Sequence, residues 1–464
     1  MLKGDIRNMK LKAWEIAECT RGSIVSGDPE TCFTGISTDS RTVAQGDLFI
    51  ALSGDNFDGH AFVVEAFSKG ATGAIVMKEG VLGTGTVVSV EDTLAALGDI
   101  AGYFRRRFSP LIVGVTGSTG KTTVKELCAS ILSTDGECLK TDKNYNNLIG
   151  VPLCLLTLND SHKYAVIEMG TNRFGEIDRL STITRPTVSI LTNINPVHLS
   201  GLRSISGIVK EKQAIFRNTM KDGFAVINPH QEHMDTVEIP AGLKVVTYST
   251  SGPAEVRLEK VLYQGLDGTD IVMDIGGKPV NAHVPLPGMH NVSNALAAAA
   301  CAVGLGIGHE KIAQGIMGAR FPGMRSEIIV SDRISIINDS YNANPASVKA
   351  ALQVLTSSPH GYRVAVLGDM LELGGEAEYW HVQLGQWVAQ AGIDRLVVTG
   401  EMSGIISESS IKNGMDAHSV HVAKDLGEII ACLSDVLNKD AIVLVKASRA
   451  LHLDEVVTRL KAVA

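Results

Sequence analysis

The chain has 464 residues, 45% hydrophobic and 20% charged, with a formal net charge of -8 at pH 7. That length is too great for one core and points to about three domains, and the acidic balance leaves no basic stripe to neutralise nucleic-acid phosphates. The seven cysteines, at 19, 32, 128, 138, 154, 301 and 432, form no CxxC pair, so a disulfide framework and a structural zinc site are both disfavoured and mostly buried thiols in a reducing cytoplasm are expected.

The opening MLKGDIRNMKLKAWEIAE has no apolar core of a secretory signal. Residues 37–76 then alternate short strands, at 48–52 and 73–76, with an amphipathic helix over 59–69 that Asp58 can cap. RRR at 105–107 is the only dense basic run and reads as a solvated helix end at a domain boundary. From 111 to about 325 the pattern is strand, turn, helix, with buried-strand runs at 164–170, 187–194, 224–229 and 244–249. Residues 254–286 shorten into alternating segments with turns, the mark of an antiparallel excursion. The run 295–307 is too short and too rich in Ala and Gly to span a bilayer, and reads as a packed core helix. After 325 the alternation resumes in a third α/β unit. The reading is an α/β chain of three domains: an N-terminal α/β module over 1–108, a central mostly parallel sheet of the P-loop ATPase kind over 109–325, and a C-terminal Rossmann-like domain over 326–464.

The most informative stretch is GVTGSTGKTTVKE at 114–126. Small residues let backbone N–H groups converge on phosphate oxygens at a helix N-terminus, a lysine reaches the terminal phosphates, and the next hydroxyl meets Mg²⁺. Thr116, Gly117, Ser118, Thr119, Gly120, Lys121, Thr122 and Thr123 make up that loop, with a strand at 111–113 before it and helical spacing at 124–132 after it. The common ATPase pattern places glycine six positions before the lysine, where this chain has Val115. The spacing TGSTGKTT instead resembles the Mur ligases and the folylpolyglutamate synthetases, which form amide bonds at the expense of ATP.

Further motifs in order bring the resemblance to the Mur ligases: STDSR at 37–41, KNYNN at 143–147, VIEMG at 166–170, TNINPVHL at 192–199, GMHNVSNALAA at 288–298, NDSYNANP at 338–345, LGDMLELG at 367–374 and KASR at 446–449. KNYNN and NDSYNANP are similar to the branch that adds D-alanyl-D-alanine to UDP-N-acetylmuramoyl-tripeptide. The resemblance implies a cytoplasmic, monomeric enzyme that uses ATP and Mg²⁺, with no nucleic-acid partner and no membrane span. Amide formation of this kind activates a carboxylate as an acyl phosphate, so cations must face the transferring phosphoryl group.

On that resemblance Lys121 is the first cation, and Thr122 with Glu168 holds the metal. His198 and Lys212 serve a second metal, Lys212 after carbamylation. The usual flanking pattern AKGEI is EKQAI here, so the acid two residues after the lysine is missing, and Lys210 is a neighbouring competitor. His290, Asn291 and Asn294 start a helix and can read the adenine edge or approach phosphate, while Asn291 can equally cap the helix. Arg325 is expected at the γ-phosphate and Asp339 at the ribose or nucleotide; the usual first acid of DDSYNANP is Asn338. Ser37, Thr38, Asp39, Ser40 and Arg41 are expected at the UDP portion, near Gly59 and His60, and Asn144, Asn146 and Asn147 at the muramoyl portion. Asn342, Asn344, Lys446, Ser448 and Arg449 are candidates for the incoming dipeptide, with alanine at 447 where glycine is usual. The rival branches that add diaminopimelate carry a DNPR motif absent here, folate ligases lack a first domain of the UDP-binding type, and a nucleotide-regulated binding protein without turnover would be expected to have lost Glu168, His198 or Lys212.

Overall fold

A computed structural model of the protein describes residues 9–54, 57–77, 84–331, 334–357, 361–434, 436 and 440–463. The first eight residues, part of the stretch read above for a secretory signal, lie outside that description. Three α/β domains follow one another along the chain, each on its own sheet.

The first sheet has five strands in the order Ser23–Ser26, Thr86–Ser89, Gly73–Val76, Asp47–Ile50, Gly35–Ser37, parallel except for its first pair. Asp58 caps as expected, its carboxylate accepting from His60 N, but the helix it opens is a 3-10 turn over Gly59–Phe62 that continues as Val63–Ser68.

The central sheet has nine strands. Cys138–Lys140, Tyr164–Glu168, Leu111–Thr116, Val188–Leu191, Phe224–Ile227 and Lys244–Ser249 lie side by side and parallel. Val256–Gly265, Gly268–Ile275 and Lys278–Val284 complete it, the last three joined by antiparallel pairing, which is the excursion read from the sequence. Helices cover both faces of its parallel part, so the inner strands Tyr164–Glu168, Leu111–Thr116, Val188–Leu191 and Phe224–Ile227 are apolar almost without interruption, whereas Val256–Gly265 is largely exposed. The first strand in chain order, Leu111–Thr116, has earlier-reaching crossovers on one side and later ones on the other, and ligands bind where such a strand order reverses. The apolar run 295–307 read as a core helix is helical as far as Gly304, in the helix Met289–Gly304, whose buried alanines pack on the helix Lys121–Leu132; residues 305–307 lie beyond its end.

The third sheet runs Glu327–Val330, Ile334–Asn338, Ala441–Lys446, Tyr362–Gly368, Arg395–Thr399, Val420–Val422, parallel except for its first pair.

Two expectations are corrected. Arg105 is buried: it ends the helix Thr93–Arg105, and its guanidinium donates to the carbonyls of Thr184 (3.0 Å) and Arg185 (3.2 Å). That helix, capped by Asp92 through Leu94 N and Ala95 N, is clamped between the first two domains, so this basic run is a joint and its first arginine is not solvated. Of the seven cysteines, all free, Cys128, Cys154 and Cys301 are buried, Cys32 is exposed and the other three are half-buried.

Glu211 closes a gap the sequence does not announce. The helix Glu176–Thr184 starts after Gly175, which has no capping side chain. The buried Glu211 carboxylate supplies the cap from another helix, accepting from Gly175 N (2.7 Å), Ile177 N (2.8 Å) and Thr171 Oγ1 (3.0 Å). Removing it leaves buried donors unpaired, at about 1–3 kcal/mol. Glu211→Ala is therefore expected to lower stability by about 2–3 kcal/mol, read as a lower urea midpoint; an unchanged midpoint would refute the cap.

Candidate active site

The strand Leu111–Thr116 ends in the loop at Gly117–Gly120, and the helix Lys121–Leu132 starts at the loop's lysine. Gly117 has φ +150° and Gly120 φ +78°. A Cβ on Gly117 would sit 1.9 Å from Thr192 Oγ1, and one on Gly120 would sit 2.4 Å from Asn294 Oδ1. Both positions need glycine on two counts, backbone angle and space. The next strand's exit holds the loop: Asn193 Oδ1 accepts from Thr119 N (2.9 Å), Ser118 Oγ donates to Asn195 O (3.0 Å), and Thr192 Oγ1 donates to Thr119 O (2.6 Å). Thr116 is anchored from the other side, donating to Met169 O at 2.9 Å.

Two lysines converge on one carbonyl. Lys121 Nζ donates to Gly117 O at 2.8 Å, and Lys212 Nζ donates to the same oxygen at 2.9 Å. Burial pushes both ammonium groups below the ordinary lysine range, Lys212 far below, with the charge of Lys121 adding to the effect. Lys212 lies behind the loop, on the last turn of the helix Ile205–Lys212, while Lys210 on the same helix is exposed.

Thr122 Oγ1 donates to Glu168 Oε2 at 2.9 Å, and Asn146 Nδ2 donates to Glu168 Oε1 at 2.8 Å, so both carboxylate oxygens are engaged at the end of the strand Tyr164–Glu168. His198 stands at φ +52° after the strand Val188–Leu191, and its Nδ1 bonds to Glu372 of the third domain. Burial holds its imidazole below the usual histidine range, and the histidine bond holds the Glu372 carboxyl below its own.

Except for Lys212, which is buried behind the loop and is not among the lining residues, these groups open on a cavity of about 530 Å³ lined by residues of two domains. From the central domain come Ser118 to Thr123, Asn146, Asn147, Glu168, His198, His290, Asn291 and Asn294. From the third come Asp339, Asn342, Asn344 and Lys446, with Tyr341, Glu372 and Arg325, the last counted with this domain because it stacks on Tyr341, although the expected boundary ends the central domain at 325. The Arg325 guanidinium lies 3.9 Å from the centre of the Tyr341 ring and lowers the Lys121 ammonium further. His290 is pushed down by burial to about 4, which keeps its imidazole neutral. Asn291 Nδ2 donates to Pro287 O (2.8 Å) and Asn291 Oδ1 accepts from Asn294 Nδ2 (3.2 Å), so the first amide orients the second.

Some expected substrate residues already have work within the protein. Asn147 Oδ1 caps the helix Gly150–Leu155 through Ile149 N and Gly150 N, and Asn344 Oδ1 accepts from Ser347 N ahead of the helix Pro345–Ser357. Lys446 is ion-paired to Asp339 and donates to Asn342 O at 2.9 Å. Ser448 is buried, and its Oγ accepts from Leu371 N at 2.8 Å; Arg449 pairs with Asp454 at 2.9 Å. Asn144, Ser448 and Arg449 are not among the residues lining the cavity, and neither are Ser37, Thr38, Asp39, Ser40 and Arg41. In that N-terminal turn Arg41 forks onto Asp39, which holds the Asp39 carboxyl down at about 2, and Ser37 Oγ donates to Asp39 O at 2.9 Å. Asn193, Tyr341 and Glu372 were not singled out from sequence, although each lies in a motif quoted there.

The chain matches the Mur ligase family catalytic domain over residues 33–105, the Mur ligase middle domain over 115–302 and the Mur ligase glutamate ligase domain over 324–449. It is 35% identical to the UDP-N-acetylmuramoyl-tripeptide–D-alanyl-D-alanine ligase of Bacillus subtilis, with 98% of each chain covered. A crystal structure of MurF from Acinetobacter baumannii superposes with a TM-score of 0.91 at 30% identity, over 98% of this chain and 99% of that one. MurF from Thermotoga maritima in complex with ADP superposes with a TM-score of 0.82 at 26% identity, over 91% of this chain and 96% of that one.

The loop geometry yields a direct test. Gly117→Ala adds backbone strain of about 1–3 kcal/mol and a clash with Thr192, so ADP affinity measured by calorimetry is expected to fall about 10- to 100-fold. An unchanged Kd would show that the loop does not cradle phosphates.

Proposed function

The chain belongs to the Mur ligase family, and from that premise we propose how its own residues carry out the ATP-dependent joining of D-alanyl-D-alanine to UDP-N-acetylmuramoyl-tripeptide. The observation that carries the reading is the shared cavity. The phosphate loop, Glu168 and His198 of the central domain face Arg325, Asp339 and Asn342 of the third across about 530 Å³.

ATP phosphates sit on the loop N–H groups of Gly120, Lys121 and Thr122, those of Ser118 and Thr119 being held by Asn193, with Lys121 turned from Gly117 O toward the terminal phosphate. The neutral His290 and the amides of Asn291 and Asn294 face the nucleotide, and Asp339 lies at its ribose side. Thr122 and Glu168 present hard oxygen donors side by side at the loop's mouth, a donor set that suits Mg²⁺, which keeps several waters and takes one or two protein carboxylates beside substrate phosphates. Bound there, magnesium supplies charge neutralisation on the phosphate oxygens. His198 presents Nε2 to the same space because Nδ1 is given to Glu372. Lys212 fits a second metal only as a carbamate, and its depressed ammonium range supplies the neutral amine that carbon dioxide requires.

In the first step a carboxylate oxygen of the tripeptide attacks the γ-phosphorus and ADP leaves. Lys121 and Arg325 stabilise the charge on the transferring group, Arg325 with a fork that stays charged. In the second, the free amine of the dipeptide attacks the acyl carbon, loses a proton, and expels phosphate carrying the former carboxylate oxygen. Ser37 to Arg41 take the UDP portion, Asn144, Asn146 and Asn147 the muramoyl portion, and Asn342, Asn344, Lys446, Ser448 and Arg449 the dipeptide side. Lys446 reaches a carboxylate only by leaving Asp339, and Arg449 by leaving Asp454. Approach of the third domain completes the site. Each chain carries every group named, so a monomer suffices, and among the described residues no helix is long and apolar enough to cross a membrane. The cytoplasm, where ATP is supplied, is the compartment this chemistry fits.

Phosphate release from ATP with UDP-muramoyl-tripeptide is expected to depend on added D-alanyl-D-alanine; release indifferent to the dipeptide would overturn the assignment. Lys212→Ala is expected to lower kcat at least about 100-fold, in the range of a lost metal ligand or its partner, and wild-type activity is expected to fall in CO₂-depleted buffer and return with bicarbonate. A Lys212→Ala enzyme with wild-type turnover would exclude the carbamate.

A further inference from the structure

LGDMLELG was read from the sequence without a task, and its fifth to seventh residues line the phosphate cavity from the third domain. Glu372 crosses to the central domain at two points. Its carboxylate receives His198 Nδ1–H, and its carbonyl accepts from Ser200 N at 3.2 Å. Both partners stand in the left-handed backbone region, His198 at φ +52° and Glu372 at φ +64°. Residues other than glycine avoid that region, and where the surroundings enforce it the strain is commonly tied to function.

The segment bearing Glu372 is pinned residue by residue. The Asp369 carboxylate accepts from Glu401 N (2.8 Å) and Met402 N (3.0 Å), and its carbonyl from Ser448 N (3.0 Å). Met370 N donates to His381 Nε2 at 2.9 Å, and Leu371 N to Ser448 Oγ at 2.8 Å. A platform fixed at three successive residues aims one carboxylate at a histidine on another domain. Because a carboxylate only accepts, this bond fixes the proton on Nδ1 and leaves the Nε2 lone pair facing the cavity.

We propose that Glu372 is a positioning residue that couples docking of the third domain to the active form of His198. With the domains apart, the imidazole has no carboxylate partner and rotates between tautomers; with them docked, Glu372 sets its orientation. Ser448 acts in the same device by holding Leu371, which gives the serine of KASR a task apart from substrate contact. The proposal rests on His198 being a ligand or electrostatic group of the ligase reaction.

The test compares wild type, Glu372→Ala and Glu372→Gln as full-length enzymes. Glu372 is half exposed, at 50% of its side-chain surface, so all three are expected to melt together. Glu372→Ala is expected to lose about 10- to 100-fold in kcat, the usual cost of removing a ligand's outer partner, with little change in the KM for D-alanyl-D-alanine. Glu372→Gln keeps an acceptor and is expected to recover part of the loss. A second readout does not depend on turnover: X-ray scattering with a non-hydrolysable ATP analogue and tripeptide is expected to show compaction in wild type and less in Glu372→Ala. Wild-type kcat in Glu372→Ala, or reduced kcat with wild-type compaction and no rescue by Gln, overturns the coupling. A wild-type enzyme that shows no dipeptide-dependent phosphate release instead overturns the ligase reading beneath it.

Discussion

One carbonyl oxygen organises the site: Gly117 O takes hydrogen bonds from both Lys121 and Lys212. Two ammonium groups held on one backbone oxygen repel each other, and Lys212, buried and facing the charge of Lys121, is held far below the ordinary lysine range, while burial and Arg325 lower Lys121. Such an arrangement persists only where anions arrive to offset it or where one lysine changes its charge. In the proposed mechanism polyphosphate on the loop does the first, and carbamylation of the rear lysine the second. Much of the remaining local structure serves to keep that oxygen in place. Gly117 has no side chain because Thr192 stands against it, and Asn193 and Asn195 lace the loop to the neighbouring strand.

The third domain answers this cationic cradle with a set of groups on one face. Arg325 is stacked on Tyr341, Asp339 is held between Ser326 N (2.9 Å) and Lys446, and Glu372 reaches His198. None of these charges is free of a partner, so bringing substrate in exchanges existing ion pairs for new ones. That exchange favours a reaction in which binding and domain approach occur together.

The parallel sheets were legible in the sequence because strands covered on both faces are apolar at every position, and the phosphate loop because its small residues and lysine follow one such strand. The helix Thr93–Arg105 was not. It is wedged between two domains and buried around most of its circumference, so it lacks the one-sided stripe that marks a surface helix. Arg105 looked solvated for the same reason: its acceptors, the carbonyls of Thr184 and Arg185, lie some eighty residues away in another domain. At the site, Lys121, Thr122, Glu168, His198 and Arg325 could be named from motif order and are gathered on one cavity. The pairings among them could not. The bond from His198 to Glu372 joins residues 174 apart, and Glu211 caps a helix 34 residues upstream. No local spacing carries such contacts.

The central claim is that this cradle transfers phosphoryl to a carboxylate before the amide bond forms. The most direct measurement labels the terminal carboxylate of the tripeptide with ¹⁸O and follows the label during turnover with ATP and D-alanyl-D-alanine. An acyl phosphate places one labelled oxygen in the released phosphate, read by mass spectrometry or by the isotope shift of its ³¹P resonance. Phosphate released during dipeptide-dependent turnover without that label would contradict the account.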